Sequence, residues 1–159
     1  MTALQILVDA DACPVKDEVY KVAWRRGVEV KVVSNARLRV PEHSLIERIV
    51  VSDGFDAADD WIAEAAGPKS VVVTSDILLA DRCLKVGAVV LGNTGKPFTS
   101  ASIGGAIATR AIMADLRAGI GEGRAGAGEG IGGPAPFTRV DRSRFLQALD
   151  EALVRLARG

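Results

Sequence analysis

Apolar residues along this chain follow two alternating rhythms. Short continuous runs at 6–8 (ILV), 70–75 (SVVVTS) and 88–91 (AVVL) are too brief for helices and too continuous for half-exposed strands, and 28–34 (VEVKVVS) joins them as a strand with Val28, Val30, Val32 and Val33 apolar. Such runs predict strands buried on both faces of a parallel sheet. A further short strand is expected over Ile46–Val51. Between these runs apolar positions recur three and four residues apart, the helical spacing. Val15, Val19, Val22 and Ala23 form one such face, with Pro14 suited to its first turn and Gly27 to its end. Ala58, Trp61, Ile62 and Ala65 form a second, after a turn at Asp53, Gly54 and Asp56, and the run ILLADRCLKVG at 77–87 forms a third. A last stripe, Phe145, Leu149, Leu153 and Leu156, predicts a docking helix at about 141–157.

Strands alternating with helices imply an α/β fold: a parallel sheet of about five strands in the order 3-2-1-4-5, with helices on both faces. In that order the crevice for a ligand opens between strands one and four, at their carboxyl ends. Two strand-like runs end there on acids, ILVDAD on Asp9 and Asp11, and VVVTSD on Asp76. Asp59 and Asp60 stand near the start of the second helix, and Asp81 lies within the third. Massed carboxylates repel one another unless protonated or neutralised, so the economical reading is a site for a hard divalent cation, Mg²⁺ or Mn²⁺. Aspartates in first turns also serve as caps and dipole partners, which is the simpler role for Asp59, Asp60 and Asp76.

Composition narrows the choice. With 159 residues the chain suits one domain, and 20 basic against 20 acidic residues produce no global field for nucleic acid. Arg25, Arg26, Arg37, Arg39 and Lys96 nevertheless fall near expected element ends. Cys13, Cys83 and a single histidine, His43, exclude a disulfide scaffold and a zinc site. The opening MTALQILVDADACPVKDE has neither a basic leader nor a long apolar stretch, so a cytoplasmic protein without a membrane anchor is expected. Eight glycines between 119 and 133 predict a flexible loop inside the domain, because glycine loses the most entropy on ordering. Neither that stretch nor GNTGKP at 92–97 has the spacing of a phosphate-binding loop.

The strings DADACPVKDE, VVSDGFDAADDWIAE, TSDILLADRCLKVGA and GGPAPFTRVDRSRFLQALD, spanning nearly the whole chain, resemble the YaiI/YqxD family of uncharacterised bacterial proteins. That family is grouped with the PIN-like metal-dependent nucleases. The resemblance implies a PIN-like three-layer sandwich in which Asp9, Asp59 and Asp76 hold the catalytic Mg²⁺ or Mn²⁺. DDWIA resembles the PIN pattern DxxIA, and TSDILLADRCLKVGAVVL resembles its TxD segment and following helix. The resemblance carries over less closely to Asp11, Asp60 and Asp81, for which it leaves three roles open: further metal ligands, residues behind the ligands, or plain surface charge. The glycine-rich stretch is longer and more repetitive than the resemblance leads one to expect.

The activity so implied is a phosphodiesterase acting on RNA or another single-stranded nucleic acid. Asn35 and Ser75 would orient phosphate or water, and Arg37 and Lys96 would neutralise flanking phosphates. Trp24, Trp61 and Tyr20 are the available stacking residues, though at helical spacing they suit a core as well. Two other readings stand beside this one. A PIN-like module without turnover would bind RNA or a protein partner. A haloacid dehalogenase-like phosphatase would use Asp9 as nucleophile, Asp11 as general acid and the hydroxyl of Thr74 or Ser75, although Cys13 stands where such enzymes tend to carry threonine. Nothing in the sequence specifies the oligomeric state.

Overall fold

The computed structural model describes residues 3–11, 13–52, 54, 56–120 and 137–158. Its centre is a sheet of five strands, β1 (Gln5–Asp9), β2 (Glu29–Ser34), β3 (Ile46–Val50), β4 (Ser70–Val73) and β5 (Val89–Leu91). All pair in parallel, in the order β3-β2-β1-β4-β5, as the alternation of runs requires. Val71, Val72 and Val73 of β4 and Ile6, Leu7 and Val8 of β1 are buried, which explains why these strands lack a polar alternation.

Among the described residues five helices cover the sheet: α1 (Lys16–Arg26), α2 (Ala57–Ala65), α3 (Ile77–Lys85), α4 (Ser100–Ile120) and α5 (Arg139–Ala157). One core layer joins Ile6, Val8, Val30 and Val32 of the sheet to Val19 and Val22 of α1 and to Phe145, Leu149 and Leu153 of α5. The other joins Leu7, Val33, Val72 and Val90 to Ile62 of α2, Leu79 and Cys83 of α3 and Ile103 of α4. The helices therefore lie on both faces.

Local chemistry sets the boundaries. Gly27 closes α1 at φ +66°, its N–H donating to the Ala23 carbonyl, a left-handed cap that glycine adopts without strain. α1 starts at Lys16, two residues later than Pro14 suggests, because Val15 serves as the N-cap. Thr138 and Asp141 exchange side chain-to-backbone hydrogen bonds in a capping box that starts α5 slightly ahead of the expected 141. The sequence pattern carried no expectation for α4. Gly104 and Gly105 interrupt its helical propensity, and its start rests on a reciprocal pair: Ser102 N–H donates to Thr99 Oγ1 (3.1 Å) and Thr99 N–H to Ser102 Oγ (2.9 Å). Of the expected glycine-rich loop, Gly119 and Ile120 belong to α4, and the rest lies outside the described residues, as does Asp53 of the expected turn. No helix among the described residues is long and apolar enough to cross a membrane.

The turn after β5 presses against α5. At Gly95, with φ +85°, an added Cβ would lie 2.7 Å from the Arg144 carbonyl oxygen and 3.0 Å from the Ala148 methyl. Gly95→Ala is therefore expected to cost ~2–4 kcal/mol, from left-handed strain together with overpacking against backbone. Urea unfolding checks this, and a loss below ~1 kcal/mol would show that the turn moves aside.

Candidate functional site

Parallel pairing brings the ends of β1 and β4 side by side, with Val8 in register with Val73. Asp9 closes β1, and Thr74, Ser75 and Asp76 follow β4 on the adjacent strand. The buried Thr74 hydroxyl joins the two strand ends. It donates to Asp9 Oδ2 at 2.7 Å and accepts from the Asp76 N–H at 3.0 Å. Asp76 in turn caps α3, its Oδ1 accepting from the N–H groups of Leu78 (2.9 Å) and Leu79 (3.3 Å). The capping role and a place in the acidic site are thus compatible, since one oxygen serves the helix.

Asp59, one turn into α2, completes the group. Burial, and then the charges of Asp76, Asp9 and Asp56, push its pKa up to about 6, against a smaller opposing effect of Arg82. The pKa of Asp9 is likewise raised, first by burial, with Asp11 and Asp76 adding to it and the Thr74 hydrogen bond working against it. These mutual effects place Asp9, Asp59 and Asp76 in one electrostatic neighbourhood, with Asp11 and Asp56 at its margins. Asp60 and Asp81 are committed elsewhere: Asp60 pairs with Arg82 (2.8 Å) and Asp81 with Lys85 (2.9 Å).

The remaining candidates spread along the carboxyl edge of the sheet. Ser75 is exposed between Thr74 and Asp76. Asn35, just past β2, spends its amide on the Ser52 carbonyl (2.8 Å), tying the loops after β2 and β3 together. Arg37 and Lys96 are exposed on the segments following β2 and β5. Of the aromatic residues, Tyr20 and Trp61 are packed into the two core layers, whereas Trp24 is 44% exposed. Trp24 stacks on Tyr20 (6.4 Å) and tilts over His43 (5.6 Å) near the end of α1, which leads into the amino-terminal end of β2. It therefore stands at the pole opposite the aspartates and cannot serve as their stacking platform. Thr74, Asp56 and Arg82 are absent from the expected nuclease site, because hydroxyl-to-carboxylate contacts and through-space charge effects depend on inter-strand register. The one available signal was the TSD spelling itself.

Two features bear on whether these residues suit a cation. The donors are all oxygens, and burial together with neighbouring carboxylates disfavours the charged forms of Asp9 and Asp59, conditions that a hard divalent ion relieves. Yet among the described residues no three His, Cys, Asp or Glu side chains are spaced as a ready chelating set. The fit is one of donor chemistry and shared charge, without a preformed cage.

The raised acids also make stability depend on pH. A carboxyl whose folded pKa exceeds its unfolded value binds its proton more tightly when folded, so stability falls as pH rises through the interval between 3.8 and about 6 for Asp59. That displacement is worth ~3 kcal/mol for a shielded group, and solvent screening at this partly exposed site leaves on the order of 1 kcal/mol. Melting temperatures at pH 4.5 and 7 in chelator are expected to favour the lower pH at this site. Asp59→Asn should flatten the difference, and an unchanged slope would remove Asp59 from the repelling group.

Comparison with known proteins agrees with the spread of the motifs. A family model described as "Uncharacterized BCR, YaiI/YqxD family" matches residues 7–155. A UPF0178 protein of Sphingopyxis alaskensis is 73% identical over 159 residues, covering 100% of this chain and 99% of the relative. A UPF0178 protein of Nitrobacter winogradskyi is 56% identical over 159 residues, covering 100% of this chain and 96% of the relative. Another, from Bradyrhizobium diazoefficiens, is 56% identical over 157 residues, covering 99% and 89%. No solved structure matches.

Proposed function

The chain belongs to the YaiI/YqxD family of uncharacterised bacterial proteins, and we propose that it is a Mg²⁺- or Mn²⁺-dependent phosphodiesterase acting on RNA or another single-stranded nucleic acid. The observation that supports this reading is the gathering of acids where β1 and β4 end: after burial, Asp76 and Asp9 raise the cost of ionising Asp59, and Asp11 and Asp76 that of ionising Asp9. A bound divalent ion would supply hydroxide from water and stabilise charge on the phosphoryl transition state. Asp9 and Asp76 would each offer the oxygen not already engaged, by Thr74 in one case and by the α3 amides in the other. Thr74 fixes the orientation of Asp9, and Ser75, exposed beside it, would hydrogen-bond a phosphate oxygen. Arg37 and Lys96 would meet flanking phosphates along the same edge. Asn35, whose side-chain amide gives one N–H to the Ser52 carbonyl, would offer its second N–H or its Oδ1 to water or phosphate.

Titration with Mn²⁺ by calorimetry, together with incubation of a labelled single-stranded RNA, tests the proposal. Stoichiometric binding near 1:1 and cleavage that stops in chelator are expected. Absence of both would favour the module without turnover.

A further inference from the structure

Two of the motifs that mark the family lie at opposite ends of the chain, DADACPVKDE near the start and GGPAPFTRVDRSRFLQALD near the end, and the fold brings them into contact. Arg142 of α5 donates through Nη1 to the Pro14 carbonyl (2.8 Å) and to Glu18 Oε1 (3.1 Å). Its guanidinium also lies over the Phe137 ring, 4.9 Å from the centroid. Glu18 is 7% exposed, so removing Arg142 would strand a buried carboxylate. Pro14 precedes the N-cap Val15, and its carbonyl stands ahead of the helix ladder, where a side-chain donor can hold it. The turn that Arg142 grips is the one that carries Asp11. Cys13 N–H closes it on the Ala10 carbonyl (3.3 Å), directly after Asp9, and Lys16 Nζ holds the Cys13 carbonyl from the other side (3.2 Å).

We propose that Arg142 is a positioning residue: with Phe137 and Glu18 it clamps the β1–α1 turn and so sets where Asp11 and the end of β1 stand in the acidic site. The clamp rests on the metal-site reading for its purpose but not for its existence. Arg142 touches no reacting group. It acts through the backbone of Pro14, which explains why an arginine so far along the chain belongs beside the aspartates.

The two cysteines make the clamp measurable. Cys13 lies inside the gripped turn and is 7% exposed, whereas Cys83 is fully buried in the opposite core layer. Local release of the turn frees Cys13 alone, but general loosening frees both. The experiment labels folded protein with an aromatic disulfide reagent, assigns each thiol by peptide mass, and measures Mn²⁺ affinity by calorimetry. It compares wild type, Arg142→Gln, and the double variant Glu18→Gln with Arg142→Gln, which leaves no stranded charge. Both variants are expected to label Cys13 ~10-fold faster or more, as for loss of a charge-assisted hydrogen bond, with Cys83 unchanged. Mn²⁺ affinity should fall ~10-fold, the scale of losing an outer partner. Equal acceleration at both thiols, no acceleration at Cys13, or restoration of slow labelling in the double variant would overturn the clamp. Faster Cys13 labelling with unchanged Mn²⁺ affinity would overturn the positioning role. A wild-type protein that ignores Mn²⁺ but whose Cys13 responds as expected would support the clamp and defeat the metal reading alone.

Discussion

Asp9→Asn is expected to reduce Mn²⁺-dependent RNA cleavage by more than the ~10–100-fold that loss of an outer metal partner costs, because it removes a charged oxygen donor from the centre of the site. The same change should raise the melting temperature in chelator. Asp9 is partly buried, and its ionised form is opposed by Asp11 and Asp76, so neutralising it relieves repulsion. Its partner is retained as well, since the Asn carbonyl can still accept from Thr74. Asp59→Asn and Asp76→Asn should lose cleavage similarly. The substitution at Asp76 keeps α3 capped, because Asn is as good an N-cap as Asp. Asp60→Asn and Asp81→Asn should leave cleavage within about twofold, their carboxylates being held by Arg82 and Lys85 in exposed ion pairs of little energetic weight. Melts of each variant with and without Mn²⁺ check these outcomes. If all three site variants melt lower in chelator than the wild type and Mn²⁺ shifts no melt, the acids serve the fold by hydrogen bonding and the metal reading fails.

Phe145→Ala should destabilise the protein by ~3–5 kcal/mol, the cost of truncating a fully buried phenylalanine and leaving a cavity. Phe145 is completely inaccessible, and with Leu149 and Leu153 it forms the face by which α5 joins the sheet and α1. At ~2–4 °C per kcal/mol for a chain of this size, the melting temperature should drop by ~10 °C or more. The Arg26–Asp150 pair, two parallel bonds of 2.8 Å between α1 and α5, cannot compensate, because it is partly exposed and screened. A loss under ~1.5 kcal/mol by chemical denaturation would mean that the neighbouring side chains collapse into the cavity or that α5 contributes little to the core.

Strand order and helix faces were legible because they follow from short-range pattern. Valine runs bury on both sides, helical stripes need a sheet to cover, and right-handed crossovers leave few arrangements of five strands. Asp9 and Asp76 were legible for the same reason, since each closes such a run. α4 was not, because its helix rests on a Thr99–Ser102 cap and, among the described side chains, on one that is well buried, Ile103, against two adjacent glycines. Nor did the pattern separate Asp59 from Asp60. Adjacent residues on a helix point about 100° apart, and only the packing of α2 on the sheet decides which one turns toward Asp9 and Asp76 and which one toward Arg82.

The sequence by itself determined the α/β class, the parallel order, the caps at Gly27 and Asp76 and the acids at the strand termini, all of which depend on neighbours within a few residues or on simple burial. Tertiary structure alone decided that the Thr74 hydroxyl binds Asp9, that Asp60 of α2 pairs with Arg82 of α3, and that Arg142 reaches Pro14 across 128 positions of chain. Those contacts are set by inter-strand register and by the docking of one helix on another. They arise only when the whole core closes, so no local spacing encodes them.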